Sequence, residues 1–221
     1  MRTFNPGKVA LVALFAVLAG CATNRSEVRL GAPAATPAAA QVTKARAILI
    51  RSVSDERVFE QAPTDPSVPS LGFEGAARAT ADVKARAISR KRNTFGHALG
   101  DVLLENGQTV ASVVQDNLAA GFREAGYKVT TNPADAGPSP IAMDVRIKRF
   151  WTWIKPGFWA LTLTADIETN LEVQGTAAPV VVKVHAEDSR QFGGDNNRIE
   201  LVDRALKEYR AQVVAKAATL P

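Results

Sequence analysis

The feature that most constrains the fold is an alternation of apolar and polar residues in two runs between residues 141 and 173. Successive side chains of a β-strand point to opposite faces of its sheet, so a period of two predicts half-buried strands. The alternation covers one run from Ile141 to Lys148 and a second from Trp159 to Val173. A third run begins at Val180 and ends at Ala186. Three such strands with short connections predict an antiparallel meander.

Two amphipathic helices are predicted on either side of this block. Between Thr109 and Ala125 apolar residues recur at helical spacing, and Gly126 ends the pattern as a helix-terminating glycine does. Near the end of the chain, Asn197 and Glu200 resemble a capping box, and an apolar stripe follows over residues 199–213. Each helix therefore has one face to bury.

Further strands are predicted ahead of the first helix. The run from Ala45 to Val53 and the basic run from Val83 to Ser89 each have the length of a strand, and the Pro- and Gly-rich segment between them predicts a long loop. We therefore predict an α+β domain of two layers, with two amphipathic helices on one face of a mostly antiparallel sheet.

Residues 1–20 have the pattern of a secretory signal peptide. Arg2 and Lys8 precede the apolar run from Val9 to Leu18. Ten apolar residues are too few for a transmembrane helix, which needs about 20. The run closes with Leu18-Ala19-Gly20-Cys21, which resembles the lipobox of bacterial lipoproteins.

The lipobox resemblance implies a lipid anchor and a compartment. In lipoproteins the signal is removed before the cysteine, and the mature protein carries acyl chains, palmitate among them, so Cys21 is the predicted lipidation site. Ala22 follows where an aspartate signals retention in the inner membrane, which implies the inner leaflet of the outer membrane with the domain in the periplasm. We expect residues 21–44 to be the lipidated cysteine and a flexible Ala/Pro-rich tether, and residues 45–221 to form the α+β domain.

Charge and cysteine content exclude several classes of function. Removing Arg2 and Lys8 from 27 basic residues leaves 25 against 22 acidic ones, a net charge of +3 for the mature chain. Such a mild excess is not the concentrated basic face of a nucleic-acid-binding protein. Cys21 is the one cysteine, so neither a disulfide framework nor a thiol catalyst is expected. We predict no nucleic-acid partner.

The tryptophans form the first candidate binding site. Trp151, Trp153 and Trp159 surround the Pro156-Gly157 pair, where a hairpin turn is expected. An odd-numbered loop would pair Trp151 with Leu161 and place all three indoles on the face of the apolar stripe. Two interpretations remain open: the rings extend the core, or they form an aromatic platform for lipid, glycan or protein.

The second candidate site is the basic run Arg90-Lys91-Arg92. It could contact anionic headgroups or simply be a solvated loop. Only His97 and His185 are available as histidine ligands, and neither has a histidine or cysteine partner at metal-binding spacing. We expect no metal, no cofactor and no enzymatic activity.

A second resemblance comes from the same segment. The motifs are R-K-R-N-T-F-G at Arg90, G-D-V-L-L at Gly100, and R-E-A-G-Y-K-V at Arg123 to Val129. From about Ala45 through the terminal helix, the chain resembles the YajG-type family of bacterial lipoproteins. The resemblance implies an α+β, periplasm-facing lipoprotein and no particular activity.

The function expected from the sequence is non-catalytic binding. The domain is predicted to be a binding or adaptor module in the cell envelope, with an envelope protein as its partner and the membrane reached through the lipid anchor. The alternative is a carrier of a lipid or cell-wall fragment that uses an aromatic-lined apolar face. A carrier needs a cavity of about 300 Å³ or more, whereas an adaptor needs only an exposed patch.

Overall fold

The computed structural model describes residues 25–34, 42–73, 75–93, 95–191 and 193–221. The predicted signal peptide and Cys21 lie outside the described residues. In chain order the elements are β1 (Ser26–Val28), β2 (Ile48–Asp55), α1 (Ala81–Arg86), β3 (Ala87–Arg92), β4 (Ala98–Leu104), α2 (Val110–Glu124), β5 (Val129–Thr130), a 3₁₀ turn (Pro133–Asp135), β6 (Ile141–Pro156), β7 (Leu161–Val173), β8 (Val180–Arg190) and α3 (Asp195–Ala217).

One mixed sheet contains all eight strands, and the long strand β6 is its branch point. Strand β7 pairs antiparallel with one edge of β6 and then with β8, which confirms the predicted meander. The other edge of β6 pairs parallel with β2 along Ile141–Ile147 and then with β3 at Thr152. Strand β5 extends the sheet beyond β2, and β4 and β1 extend it beyond β3.

The prediction of a mostly antiparallel sheet is wrong, although the class α+β is correct. Four of the strand pairings are parallel: β1–β4, β2–β5, β2–β6 and β3–β6. Alternation of apolar residues shows that a segment is a strand but does not show its direction. The direction of β2 relative to β6 depends on the crossover through α2, which brings two distant segments side by side.

The description of two helices in two layers is wrong as well. A third helix, α1, begins after Thr80, whose side chain accepts a hydrogen bond from the Val83 N–H. Together with β3 it occupies the segment for which a single strand was predicted. The sheet is also covered on both of its faces, because a second apolar cluster lies opposite the main core.

The main core lies between the sheet and the helices α2 and α3. Helix α2 begins with a capping box between Thr109 and Ser112. Helix α3 packs against α2 and against strands β7 and β8. Its Tyr209 is fully buried, and the hydroxyl shares a hydrogen bond of 2.9 Å with the Thr169 hydroxyl. The polar end of the largest core side chain on α3 is thus satisfied.

The second cluster forms under the long loop between β2 and α1. Its buried members are Leu71, Ala87, Leu103, Trp151 and Trp153. Phe59 of the loop packs edge-to-face on Trp151, with ring centroids 6.0 Å apart. The Trp151 indole N–H donates to the carbonyl of Pro66 at 3.1 Å. This loop therefore acts as a cover for the second face of the sheet.

A β-bulge explains why the tryptophans face this cluster. The pairing of β6 with β7 shifts between Ile147 and Arg149, which inserts one extra residue. Ile147 and Phe150 both face the main core, so Trp151 and Trp153 point to the other side. The predicted pairing of Trp151 with Leu161 is wrong, since Trp151 lies opposite Asp166. The indoles do not share the face of the apolar stripe.

Part of the predicted tether belongs to the folded domain. Strand β1 pairs in parallel with β4, and the side chains of Val28 and Leu30 are buried. The Gln108 side chain holds Leu30 through two hydrogen bonds, accepting from its N–H at 3.1 Å and donating to its carbonyl at 2.9 Å. A three-residue strand is too short to show periodicity, which is why composition alone indicated a tether.

Candidate functional site

A cavity of about 540 Å³ lies where the β6–β7 hairpin, strand β3 and the start of α3 meet. It exceeds the volume of about 300 Å³ at which ligand sites begin. Its described lining includes three arginines and no acidic residue. The lining residues are Thr64, Pro66, Arg90, Arg92, Asn93, Gly96, Ile154, Pro156, Leu161, Gly193 and Arg198.

Arg198 is the most unusual of these residues. It lies in the first turn of α3 and is only 6% exposed. Its Nε and Nη1 have no hydrogen-bond partner in the part of the chain that the structure describes. Burial lowers the pKa of its guanidinium below the ordinary value. An unpaired buried charge is costly, so such a group marks either strain or a site for an absent ligand.

Arg90 repeats this arrangement from strand β3. Its Nε and Nη1 are also buried without a partner among the described residues, and burial lowers the pKa of its guanidinium. The carboxylate that acts on it electrostatically is Asp101. Asp101 already accepts hydrogen bonds from Arg25 at 3.1 Å and from the Gly72 N–H at 2.7 Å. The charge of Arg90 is therefore not matched by a dedicated partner.

Arg92 adds a third positive charge to the same wall. Its guanidinium donates to the carbonyl of Pro63 at 3.0 Å and to the Ser70 hydroxyl at 3.4 Å. Burial and the charge of Arg90 both lower its pKa. Arg90 and Arg92 also line an adjoining pocket of about 490 Å³ that includes His97. The like-charged guanidiniums of Arg90 and Arg92 therefore lie close together, and both line the cavity and the adjoining pocket.

Lys91 belongs to a different environment. Its ammonium lies 3.3 Å from a carboxylate oxygen of Asp195 at the start of α3. Asp195 is the carboxylate that acts electrostatically on Arg198. Because Asp195 is shared with Lys91, it does not neutralise Arg198 alone. The structure thus separates the predicted basic run into one ion-paired lysine and two arginines that line the cavity.

Part of the cavity lining is apolar. Ile154, Pro156 and Leu161 come from the two strands of the hairpin. Gly193 packs against them, since a Cβ built on it would lie 2.8 Å from Cδ1 of Ile154, and the end of the Ile154 side chain would have to shift. The lining therefore combines cationic and apolar residues.

The structure divides the three tryptophans into two groups. Trp151 and Trp153 are 1% and 5% exposed in the second cluster, whereas Trp159 is 87% exposed. Trp159 lies in the hairpin loop with Phe158, which is 91% exposed, and the two rings contact edge-to-face at 4.9 Å. Trp151 and Trp153 therefore belong to the core, whereas Trp159 is at the surface, and an aromatic platform stays a prediction for Trp159 alone.

The loop that carries the exposed pair joins the strands at the mouth of the cavity. Gly157 begins the loop by donating its N–H to the carbonyl of Ala160 at 2.9 Å. A Cβ on Gly157 would lie 2.7 Å from that same oxygen. The loop is flanked by Pro156 and Leu161, which both line the cavity. The exposed aromatic rings are therefore close in the chain to the apolar lining.

Asp166 on β7 and His185 on β8 are held together in an ion-pair cluster. Asp166 accepts from Arg149 at 2.7 Å and lies 2.6 Å from Nδ1 of His185. The hydrogen bond to Asp166 is the main reason that the pKa of His185 is raised. Within the described ranges, no group of three or more His, Cys, Asp or Glu side chains could hold a metal ion.

The sequence analysis did not single out Arg198. Its position could have indicated a buried charge, because Arg198 lies one turn before Val202, on the stripe of α3 that is otherwise apolar. An arginine in such a position normally has a nearby acidic partner. Arg90 and Arg92 were noticed, but their convergence with residue 198 depends on the packing of β3 against the start of α3.

Comparison with known proteins finds structural likeness only. No protein-family model matches the sequence and no curated protein is similar to it, so the YajG-type resemblance stays a prediction. An uncharacterized protein of solved structure is 11% identical, with a TM-score of 0.43 over 88% of this chain and 98% of its own. A Xanthomonas campestris protein of the family DUF330 is 12% identical, with a TM-score of 0.43 over 87% and 92%.

A minor lipoprotein from Acinetobacter baumannii is 16% identical, with a TM-score of 0.35 over 49% of this chain and 86% of its own. Because each TM-score is below 0.5, none of these structures assigns a function to this chain. Among the helices that the structure describes, none has the length and apolar character needed to cross a membrane.

Proposed function

We propose that the chain is a lipid-anchored protein of the cell envelope whose folded domain binds a ligand and catalyses no reaction. The observation that carries the binding role is the cavity of about 540 Å³, lined by Arg90 and Arg198, whose Nε and Nη1 atoms are buried without a hydrogen-bond partner among the described residues. Buried charged groups in proteins are normally paired with a hydrogen-bonding partner. A buried charged group without such a partner is a candidate for contact with a ligand.

The envelope location is supported by the amino-terminal sequence. Residues 1–20 form a signal pattern that ends in Leu18-Ala19-Gly20-Cys21. The strand β1 begins five residues after Cys21, so an anchor at that residue would hold the folded domain close to the lipid surface. With Ala22 after the cysteine, we place the anchor in the inner leaflet of the outer membrane and the domain in the periplasm.

The anchor is tested by Cys21→Ser. We expect this variant to leave the membrane fraction or to remain unprocessed, and the amino-terminal peptide of the native protein to carry acyl chains by mass spectrometry. An unmodified amino-terminal peptide from the native host that begins upstream of Cys21 would refute the anchor.

The ligand-binding role is tested on the lipidated protein extracted from its own envelope. Native mass spectrometry should show a small molecule bound in addition to the anchor. Thr64→Trp, at an exposed position of the cavity wall, should remove that mass, because the indole would fill the space. The matched control is Ala178→Trp in the exposed turn between β7 and β8, at the far end of the hairpin. Equal occupancy in both variants would contradict the cavity as the site.

The adaptor function remains a second candidate because of Phe158 and Trp159. Two adjacent exposed aromatic rings at a hairpin end are typical of contact surfaces. A Phe158→Ser/Trp159→Ser double variant should lose crosslinks to an envelope protein while keeping ligand occupancy. Unchanged crosslinks would leave the cavity as the site of function.

A further inference from the structure

We propose that the cavity binds an amphiphilic anion: a phosphate or carboxylate group joined to an apolar chain. This inference rests on the proposed ligand-binding function, because it names the class of ligand for the same cavity. The acidic group would pair with Arg198 and Arg90, and the chain would lie along the hairpin side.

The first argument is the unsatisfied donor set. Arg198 and Arg90 each have two buried nitrogens, Nε and Nη1, without a hydrogen-bond partner among the described residues. Nε and Nη1 of one guanidinium point to different sides, because the two donors that bind one carboxylate side by side are Nε and Nη2, as in the contact of Arg57 with Asp55. An anionic group between the two arginines would therefore accept hydrogen bonds from one unpaired nitrogen of each, and these bonds are charge-assisted.

The second argument is the excess of positive charge. Three guanidiniums line the cavity, and no described lining residue is acidic. The carboxylates that act on the two unpaired arginines are engaged elsewhere, Asp101 with Arg25 and Asp195 with Lys91. Like charges held together in a partly buried wall repel each other, so a bound anion would be favoured and a neutral ligand would not.

The third argument is the position of α3. This helix of 23 residues begins with Asp195, two residues after the cavity-lining Gly193. The amino end of a helix carries a partial positive charge and favours anions. Helix α3 therefore adds to the field of the arginines at the same end of the cavity.

The fourth argument selects an amphiphile over a small inorganic anion. The volume of about 540 Å³ leaves space beyond an acidic headgroup. That space is bounded by Ile154, Pro156 and Leu161, whose apolar surfaces an alkyl chain would cover. The exposed rings of Phe158 and Trp159 lie in the loop that joins Pro156 to Leu161, close in the chain to this apolar lining.

The experiment uses water-soluble probes that differ in one group. The lipidated protein is held in nanodiscs of neutral phosphatidylcholine and titrated calorimetrically with hexyl phosphate, hexanoate, hexanol and inorganic phosphate, with empty nanodiscs as the blank. We expect hexyl phosphate or hexanoate to bind, and whichever binds more tightly identifies the acidic group. Hexanol should bind weaker by roughly 10- to 100-fold, because it lacks the charge-assisted hydrogen bonds.

The variants locate the binding on the arginines. Arg198→Gln and Arg90→Gln should each weaken binding of the anionic probe by roughly 10- to 100-fold. Arg198→Lys should recover part of the affinity, since it restores the charge but not the fixed directions of the guanidinium donors. The matched control is Arg204→Gln on the exposed side of the same helix, which should bind like the wild type. Thermal unfolding of each variant verifies that it is folded.

Each contrary outcome has a distinct meaning. Hexanol binding as tightly as the anionic probes would overturn the anion and leave the ligand-binding cavity intact. Inorganic phosphate binding as tightly as hexyl phosphate would overturn the apolar part of the ligand. Loss of affinity in Arg204→Gln equal to that in Arg198→Gln would show a non-specific charge effect and overturn the assignment to Arg198. No binding of any probe would overturn both this inference and the proposed use of the cavity.

Discussion

Arg57 and Arg198 are both buried arginines, and they differ in how their donors are used. They are 7% and 6% exposed. The guanidinium of Arg57 donates to both carboxylate oxygens of Asp55, at 2.8 and 2.7 Å, and to the carbonyls of Lys84, Ala87 and Phe150. The guanidinium of Arg198 leaves two nitrogens unpaired beside a cavity.

The comparison teaches that burial of a charge does not by itself mark a functional site. Arg57 joins β2, α1, β3 and β6 through its acceptors, so its role is structural. Arg198 makes no equivalent contacts with the described residues, and its side chain lines the cavity. A buried charge is expected to be paired, and the one that lacks a partner is where a ligand is expected.

The largest expected effect is on stability, from Arg57→Met. Removing this guanidinium breaks the ion pair with Asp55 and takes a donor from the carbonyls of Lys84, Ala87 and Phe150. We expect the free energy of unfolding to fall by about 3–5 kcal/mol, measured by chemical denaturation. Arg204 is an exposed arginine on α3 and serves as the control. If Arg57→Met lowers the free energy of unfolding no more than Arg204→Met does, the structural role of Arg57 is contradicted.

The second effect has the opposite sign. Arg198→Met removes a buried charge without breaking a hydrogen bond to any described residue. Without ligand, we expect the free energy of unfolding to stay equal or to rise by about 1 kcal/mol. Binding of the anionic probe should be lost in the same variant. Destabilisation comparable to that of Arg57→Met would show that Arg198 has a structural partner after all.

Trp151 and Trp153 also differ in whether a buried donor has a partner, and here we expect a smaller difference in stability. The indole N–H of Trp151 is paired with the Pro66 carbonyl, whereas that of Trp153 is buried without a partner among the described residues. We expect Trp151→Phe to lower the free energy of unfolding by about 1 kcal/mol more than Trp153→Phe does. Equal losses measured by denaturation would mean that the hydrogen bond contributes nothing.

The smallest expected effect is the pH dependence of stability that comes from His185. The hydrogen bond from His185 to Asp166 raises the histidine pKa above its ordinary value. A raised pKa in the folded state stabilises the protein at pH values below the unfolded pKa, and this contribution is lost as the pH rises through the folded pKa.

Titration of His185 by NMR should therefore give a pKa above 6.5, and Asp166→Asn should lower it. His185 is half exposed and also lies 3.4 Å from Glu187, so the change in stability should be small. An unchanged pKa in Asp166→Asn would assign the shift to Glu187 instead.

Local patterns were sufficient for helices α2 and α3 and for the meander, but not for the short helix α1. Apolar residues at helical spacing located α2 and α3 because each helix buries one stripe. Alternation located β6, β7 and β8 for the same reason. In each case the physical cause is the burial of residues that are close in sequence.

Pairing between distant segments was beyond these patterns. The parallel pairing of β2 with β6, and the inclusion of β1 in the sheet, depend on crossover connections rather than on local periodicity. The bulge between Ile147 and Arg149 had a trace in the sequence, since the spacing from Ile147 to Phe150 breaks the alternation. The sequence did not show that the bulge turns Trp151 and Trp153 into a second apolar cluster, because that cluster forms only where the loop between β2 and α1 covers them.

The candidate site shows the same division. The sequence by itself determined the signal-like pattern that ends in Leu18-Ala19-Gly20-Cys21, the basic run at residues 90–92 and the cluster of aromatic residues around the hairpin, because each is a contiguous stretch of chain. Only the tertiary structure decided that Arg90, Arg92 and Arg198 line one cavity while Lys91 forms an ion pair with Asp195. The physical reason is that a hydrogen bond or ion pair depends on distance in space, and the fold alone sets the distance between residues that are far apart in the chain.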